Sequence, residues 1–226
     1  LEKKLNESNP EWKAGVEALL DTYIGELPKQ FEYNGKKYTP VAFRDELGLN
    51  PDDYVMLTSF SHHPFYTSFV LEVPDNWSKG QYYNLPIQEL QNVADHALKA
   101  GYTIAWDADV SEPGFSFKNN MALLPQVPFK KEEIFTQKPN EIQVTQESRQ
   151  ADFDSFATTD DHLMHIVGTS KDQWGNAYYI TKNSWGEKNS AKGYQHVSQA
   201  YFKGKTVCMV VHKDALPAEV RKKMGV

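Results

Sequence analysis

Asp161-His162-Leu163-Met164-His165-Ile166-Val167-Gly168 is followed by Tyr178-Tyr179-Ile180-Thr181-Lys182-Asn183-Ser184-Trp185-Gly186 and then by Gly193-Tyr194. These residues decide how the rest of the chain is read. The apolar and β-branched runs at 162–170 and 177–183 predict two strands, and the turn Gln173-Trp174-Gly175-Asn176 joins them as a hairpin. His162 opens the first strand and Asn183 closes the second, 21 positions later, so both reach the same edge. An Asn carbonyl there can accept the imidazole N–H, which fixes the ring tautomer and turns the other nitrogen toward a nucleophile. A Trp two residues past the Asn can cover that hydrogen bond and keep water from it. His165, three residues on, falls on the opposite strand face and reads as a packed or surface histidine.

Outward from this hairpin, 193–198 and 207–212 complete a β-rich last third, and a short helix follows Pro217. Upstream, Ser8-Asn9-Pro10 predicts a helix start. Trp12, Val16, Leu19, Leu20, Tyr23 and Ile24 then form one apolar helical face that Gly25 closes. That stripe is expected to pack in the core or against a preceding half of the protein. Asn34-Gly35 predicts a type I′ hairpin over 31–38, and Thr39-Pro40 caps a helix that Gly48 ends. Strands are predicted at 54–60, 66–73 and 102–110, and a helix runs from Pro86 to Gly101. Residues 111–159 are mixed, with a polar surface stretch expected at 137–151. Helix-rich first and β-rich last is an α+β pattern. It divides the chain into a helix-rich segment with a hairpin, 1–101, and a β-rich part, 102–226, that carries the His and the Asn.

The 226 residues carry 24 Lys+Arg against 30 Asp+Glu, a net charge of −6, and 13% aromatics. That aromatic content argues against disorder, and the acidic balance against nucleic acid as a partner. No apolar run approaches the roughly 20 residues of a membrane-spanning helix. Cys208 is the only cysteine, which excludes an internal disulfide and any multi-cysteine zinc site. It lies in an apolar strand and reads as a small buried hydrophobe. His62-His63 is read as a strand-end pair pointing opposite ways, so no shared metal is expected there. No cofactor is implied.

Lys-Asn-Ser-Trp-Gly followed by Gly-Tyr, with Asp-His upstream, resembles the papain superfamily of cysteine peptidases, and within it the bleomycin hydrolase and aminopeptidase C group. Tyr23-Ile24-Gly25-Glu26-Leu27-Pro28, Tyr83-Asn84-Leu85-Pro86-Ile87 and Ala105-Trp106-Asp107-Ala108-Asp109-Val110 support the likeness. It implies the C-terminal portion of a papain-like fold, with residues 1–101 belonging to the helical insertion and inter-domain region. By resemblance His162 is the general base, Asn183 orients it and Trp185 shields their contact. Asp161 is a supporting neighbour that either favours the imidazolium or is a solvated turn residue. The resemblance also implies a peptide substrate, a homo-oligomeric ring and a cytoplasmic setting.

The nucleophile is the departure. No cysteine precedes His162, whereas papain-type enzymes place it roughly 130–150 residues upstream of the His and Asn. Leu1 is not an initiator Met, so the chain is expected to continue a longer one or to follow a cleavage, with the Cys in an N-terminal half. Alone, the chain is expected to be inactive. The family's long C-terminal tail, which limits attack to N-terminal residues, is expected to be shorter here, leaving endopeptidase action open. A non-catalytic pseudo-peptidase that binds peptides or proteins is the competing reading. Retention of both His162 and Asn183 leans against it.

Overall fold

The hairpins and caps read from the sequence reappear in the computed structural model, which describes residues 11–130 and 133–225. The helix start at Ser8-Asn9-Pro10 lies outside them. The chain forms two compact units, residues 1–51 and 52–226. In the first, α1 (Trp12–Ile24) precedes β1 (Phe31–Tyr33), β2 (Lys36–Tyr38) and α2 (Pro40–Leu47). Asn34 and Gly35 have φ of 49° and 74°, as a type I′ turn requires. The Thr39 hydroxyl accepts from the Ala42 N–H at 3.1 Å, and Gly48 ends α2 at φ 63°. Phe31, Tyr33 and Tyr38 gather around the Phe43 ring. The apolar stripe of α1 does not pack into a core: no residue of α1 is buried, and Leu19 is 58% exposed.

The second unit is one ten-stranded sheet with helices packed on it, an α+β architecture. Its strands are β3 (Tyr54–Thr58), β4 (Ser68–Val70), β5 (Gln81–Asn84), β6 (Ile104–Ala108), β7 (Phe115–Ser116), β8 (Met121–Ala122), β9 (His162–Lys171), β10 (Ala177–Lys182), β11 (Tyr194–Ser198) and β12 (Thr206–His212). They lie in the order β4-β5-β3-β12-β6-β9-β10-β11-β8-β7. Most neighbours are antiparallel, but β3–β5 and β8–β11 are parallel. The helices are α3 (Ile87–Lys99), α4 (Gln146–Asp154), α5 (Gln199–Lys205) and α6 (Ala218–Met224). Leu90, Val93, Ala94 and Ala97 of α3 and Tyr201 and Phe202 of α5 share a core with Trp106, Ile166 and Met209 of the sheet. Among the described residues no helix is long and apolar enough to cross a membrane.

Three elements depart from the sequence reading, two of them for evident local reasons. β3 stops at Thr58 because the Asn84 side chain takes over the ladder: its Oδ1 accepts from Phe60 N at 2.9 Å and its Nδ2 donates to Phe60 O at 2.7 Å. The strand expected at 66–73 shortens to 68–70. The polar stretch 137–151 is not all surface, since it contains the start of α4, closed by a reciprocal Thr145–Ser148 capping box. The buried residues of α4, Arg149 and Gln150, are polar, and Phe153 is its one large apolar side chain, so apolar periodicity could not reveal it. Arg149, 1% exposed, donates through Nε to Ser59 O at 2.7 Å, through Nη1 to Lys203 O at 3.0 Å, and through Nη2 to Thr206 O. Its guanidinium lies 4.5 Å over the Phe60 ring. Burial pulls its pKa down to about 9, which leaves it cationic at neutral pH.

Arg149→Met removes the donors of three carbonyls while keeping most of the side-chain bulk. Urea denaturation is expected to show a loss of about 3 kcal/mol or more; a loss under about 1 kcal/mol would mean those carbonyls find other donors.

Candidate active site

Register brings the two site residues together. β9 pairs with β6 on one side and with β10 on the other. Along β10 the pairing runs Ile180↔Gly168 and then Thr181↔Ile166, so Val167 is bulged out of β9. Beyond the bulge His162 shares its face with Met164 and Ile166, the face onto which Thr181 and Asn183 project. An unbulged ladder would have turned His165 to that face instead. His165 is exposed, as the strand alternation predicts.

The His162 Nε2 lies 2.9 Å from the Asn183 Oδ1. The Trp185 indole stacks on the imidazole at a ring-centroid distance of 4.9 Å and an interplanar angle of 28°. Trp185 is itself buttressed edge-on by Phe115 and Phe117 at 5.8 and 5.5 Å, two contacts the sequence reading did not foresee. Among the described residues the His162 Nδ1 makes no hydrogen bond. Asn183 is 2% exposed, and its backbone N–H donates to Gly193 O at 2.9 Å. Gly193 has φ of 87°, and a Cβ there would lie 2.7 Å from the Gly186 carbonyl oxygen, so only glycine closes this loop.

The second amide contact of Asn183 was also missed. Its Nδ2 donates to the Gln195 Oε1 at 2.8 Å, and Gln195 is fully buried. The signal available in the sequence was a polar residue in phase with inward-facing Val197 on a strand.

Asp161 lies beside His162 in the chain, but its carboxylate faces elsewhere. Oδ1 accepts from the Thr159 hydroxyl at 2.7 Å and Oδ2 from Val110 N at 3.2 Å. Partial burial would raise its pKa, but the hydrogen bonds from Thr159, Asp109 and the backbone hold it below the ordinary carboxylate value. Cys208, two strands from β9 through Asp107 and Leu163, is buried in β12. Burial, then the nearby Asp107 charge, drives its thiol pKa far above the usual range, the opposite of an activated nucleophile. His62 and His63 do not point apart, because they sit in a turn rather than at a strand end. Their rings are 4.7 Å apart, and the His62 Nδ1 meets the Gln150 Nε2 at 3.0 Å.

For a metal, the described residues offer one carboxylate group: oxygens of Asp75, Asp107 and Asp160 lie within 4.8 Å of one another. Burial of Asp107, then its hydrogen bond with Asp160 and the charges of Asp160 and Asp75, push its pKa up to about 8. Asp107 is therefore a proton holder at neutral pH, which lowers the charge of the group without an ion.

A Peptidase C1-like family model matches residues 10–225. The chain is thus a papain-like α+β peptidase fold. It belongs to the Peptidase C1-like family. It is similar to Aminopeptidase G of Lactobacillus delbrueckii subsp. lactis, 28% identical over 85% of this chain and 45% of that protein. It also matches Aminopeptidase W of the same organism, 25% identical over 97% of this chain and 51% of that protein. Aminopeptidase C of Streptococcus thermophilus is 27% identical over 87% of this chain and 46% of that protein. The crystal structure of PepW from Lactobacillus rhamnosis HN001 superposes with a TM-score of 0.73 at 23% identity, covering 100% of this chain and 52% of that one. The chain spans about half the length of the curated relatives it matches.

The raised Asp107 value carries a pH signature. Unfolded, this carboxyl ionises near 3.9, so between about pH 4 and 8 the folded state holds a proton that the unfolded state has lost. The contribution of Asp107 to stability is full below pH 4 and falls as pH rises toward 8. Asp107→Asn is expected to lose that slope, so its melting temperature should gain on wild type from pH 5 to 8; parallel melting profiles would refute the protonated carboxyl.

Proposed function

We propose that this chain supplies the His–Asn half of a cysteine aminopeptidase, with the nucleophilic Cys and part of the oxyanion site contributed by an N-terminal half. The observation that carries the reading is the 2.9 Å contact between the His162 Nε2 and the Asn183 Oδ1 beneath the Trp185 ring. An accepting Oδ1 keeps the proton on Nε2 and leaves the Nδ1 lone pair free to take a thiol proton. The thiolate then attacks the peptide carbonyl, and the imidazolium returns its proton to the departing amine as the C–N bond breaks. Water hydrolyses the resulting thioester with His162 as base, which regenerates the thiol. Asn183 holds the ring, Trp185 covers the hydrogen bond, and Asp161 supports the turn that leads into β9.

The names of the relatives support attack at N-terminal residues of peptides, and their greater length supports a missing half. In this reading a peptide is the substrate and the Cys-bearing half the obligate partner, with a homo-oligomer as the assembled form. The lone chain has no thiol that could serve, and is inactive. The second reading, a pseudo-peptidase that binds peptides, is favoured by that same lack of a usable thiol.

The test is the intact mass of the native polypeptide, tagged after Val226, together with labelling by a thiol-reactive epoxide. A partner or preceding segment whose Cys is labelled is expected. His162→Ala in that assembly should lower aminoacyl-amide hydrolysis by about 10³-fold or more. Labelling of Cys208, or a native chain of 25.8 kDa with no Cys-bearing partner, would overturn the peptidase reading in favour of the binding module.

A further inference from the structure

We infer that Gln195 is a positioning residue for His162: by accepting from Asn183 it couples its own amide to that of Asn183, so that the pair, in the orientation observed, presents the Asn183 oxygen to the imidazole and favours the Nε2–H tautomer. The two ends of an Asn amide have nearly the same shape but opposite hydrogen-bonding character. With the oxygen toward His162, the ring carries its proton on Nε2 and Nδ1 is an acceptor. With the NH₂ group toward His162, Nε2 must accept, the proton moves to Nδ1, and the ring cannot take a proton there. What the far end of the amide meets biases this choice. Asn183 is 2% exposed, so its Nδ2 has little access to water. It meets the Gln195 Oε1 at 2.8 Å, inside the sheet.

Gln195 is placed for this by β11. It pairs directly with Thr181 on β10, two residues before Asn183, and so shares the inward face on which the amide lies. An apolar side chain at 195 would bury the Asn183 Nδ2 without an acceptor, and the orientation that serves His162 would lose its advantage. The Gln195 Nε2 finds no partner among the described residues. Gln195 is therefore anchored through Asn183, and the two amides can turn only together. A concerted turn of both is the one alternative that preserves the hydrogen bonds, and it would give the opposite tautomer.

The inference rests on the peptidase reading for its catalytic consequence, but its test uses this chain alone and no nucleophile, so either can fail without the other. Nitrogen-15 NMR of the imidazole reports the tautomer, and solvent exchange reports the protection of the His162 Nε2–H and the Asn183 side-chain amide. Wild type is expected to show the Nε2–H tautomer with both groups protected. Gln195→Met should mix the tautomers and speed exchange of the Nε2–H by about tenfold or more. Thr181→Val is the control: it removes a fully buried hydroxyl with no hydrogen-bond partner among the described residues, from the position opposite Gln195. It should leave the His162 spectrum unchanged. A folded Gln195→Met that keeps a single protected Nε2–H tautomer would overturn the inference, as would the Nδ1–H tautomer in wild type. If Gln195→Met does not fold, wild type decides: a protected Asn183 amide beside an Nε2–H ring supports the inference, and a freely exchanging amide sinks it.

Discussion

One bulged residue sets which side chains meet at the edge of this sheet. Side chains alternate along a strand, so a ladder with one residue more or less turns every later side chain to the other face. Val167 supplies that residue in β9. Past it, His162 instead of His165 faces the end of β10, where Asn183 waits. The pairing of β9 with β6 on its other side pins the same register from Ile104↔Ile166 to Ala108↔His162. A strand held on both edges cannot slip to relieve the bulge, so the His–Asn contact is a consequence of the whole central sheet.

The loops around that sheet are tied by buried polar side chains. Arg149 ties the Ser59 carbonyl to those of Lys203 and Thr206 at the α5–β12 junction, and Asn84 extends the ladder beyond β3. Lys205 is buried with its ammonium on Glu112, on Ala157 O at 2.9 Å and on the Thr158 hydroxyl at 3.0 Å. Asp109 accepts from Ser111 N at 2.8 Å and Thr159 N at 3.2 Å. Burial raises the Asp109 pKa, partly opposed by those bonds. Each such group would be costly if left unpaired, so together they specify loop conformations that apolar packing alone would leave free. They also fix the segment 158–161 that delivers His162 to the start of β9.

On the reading proposed above, this chain contributes only the His–Asn part of a site. The imidazole, its amide partner and the covering indole come from β9, β10 and the loop behind them, a local unit that the sheet completes. Nothing in this unit supplies a thiolate: Cys208 is on the far side of β6, buried beside a carboxyl, where ionisation is opposed by both solvation and charge. The family match covers residues 10–225, and the chain overlaps roughly half the length of the named aminopeptidases.

Much of this was legible in the residues. Asn34-Gly35, Thr39-Pro40, Pro86 and Gly101 mark turns and caps by backbone chemistry that acts over a few residues. The Asp-His and Asn-Ser-Trp-Gly runs pointed to a candidate site, and the structure brings His162, Asn183 and Trp185 of those runs into contact. The helix α4 was not legible, since its buried face is Arg149 and Gln150, which pair with carbonyls and side chains distant in sequence. Nor was the exposure of the α1 stripe: an apolar periodicity says that a face is made to be covered, not by what. The sequence by itself determined which functional groups are available to a site, because that depends on residue type alone. Only the tertiary structure decided that a bulge at Val167 sets the register in which His162 meets Asn183, and that Gln195 stands behind it. Strand register and bulges are settled by pairing energy summed over the whole sheet, and no local run of residues carries that sum.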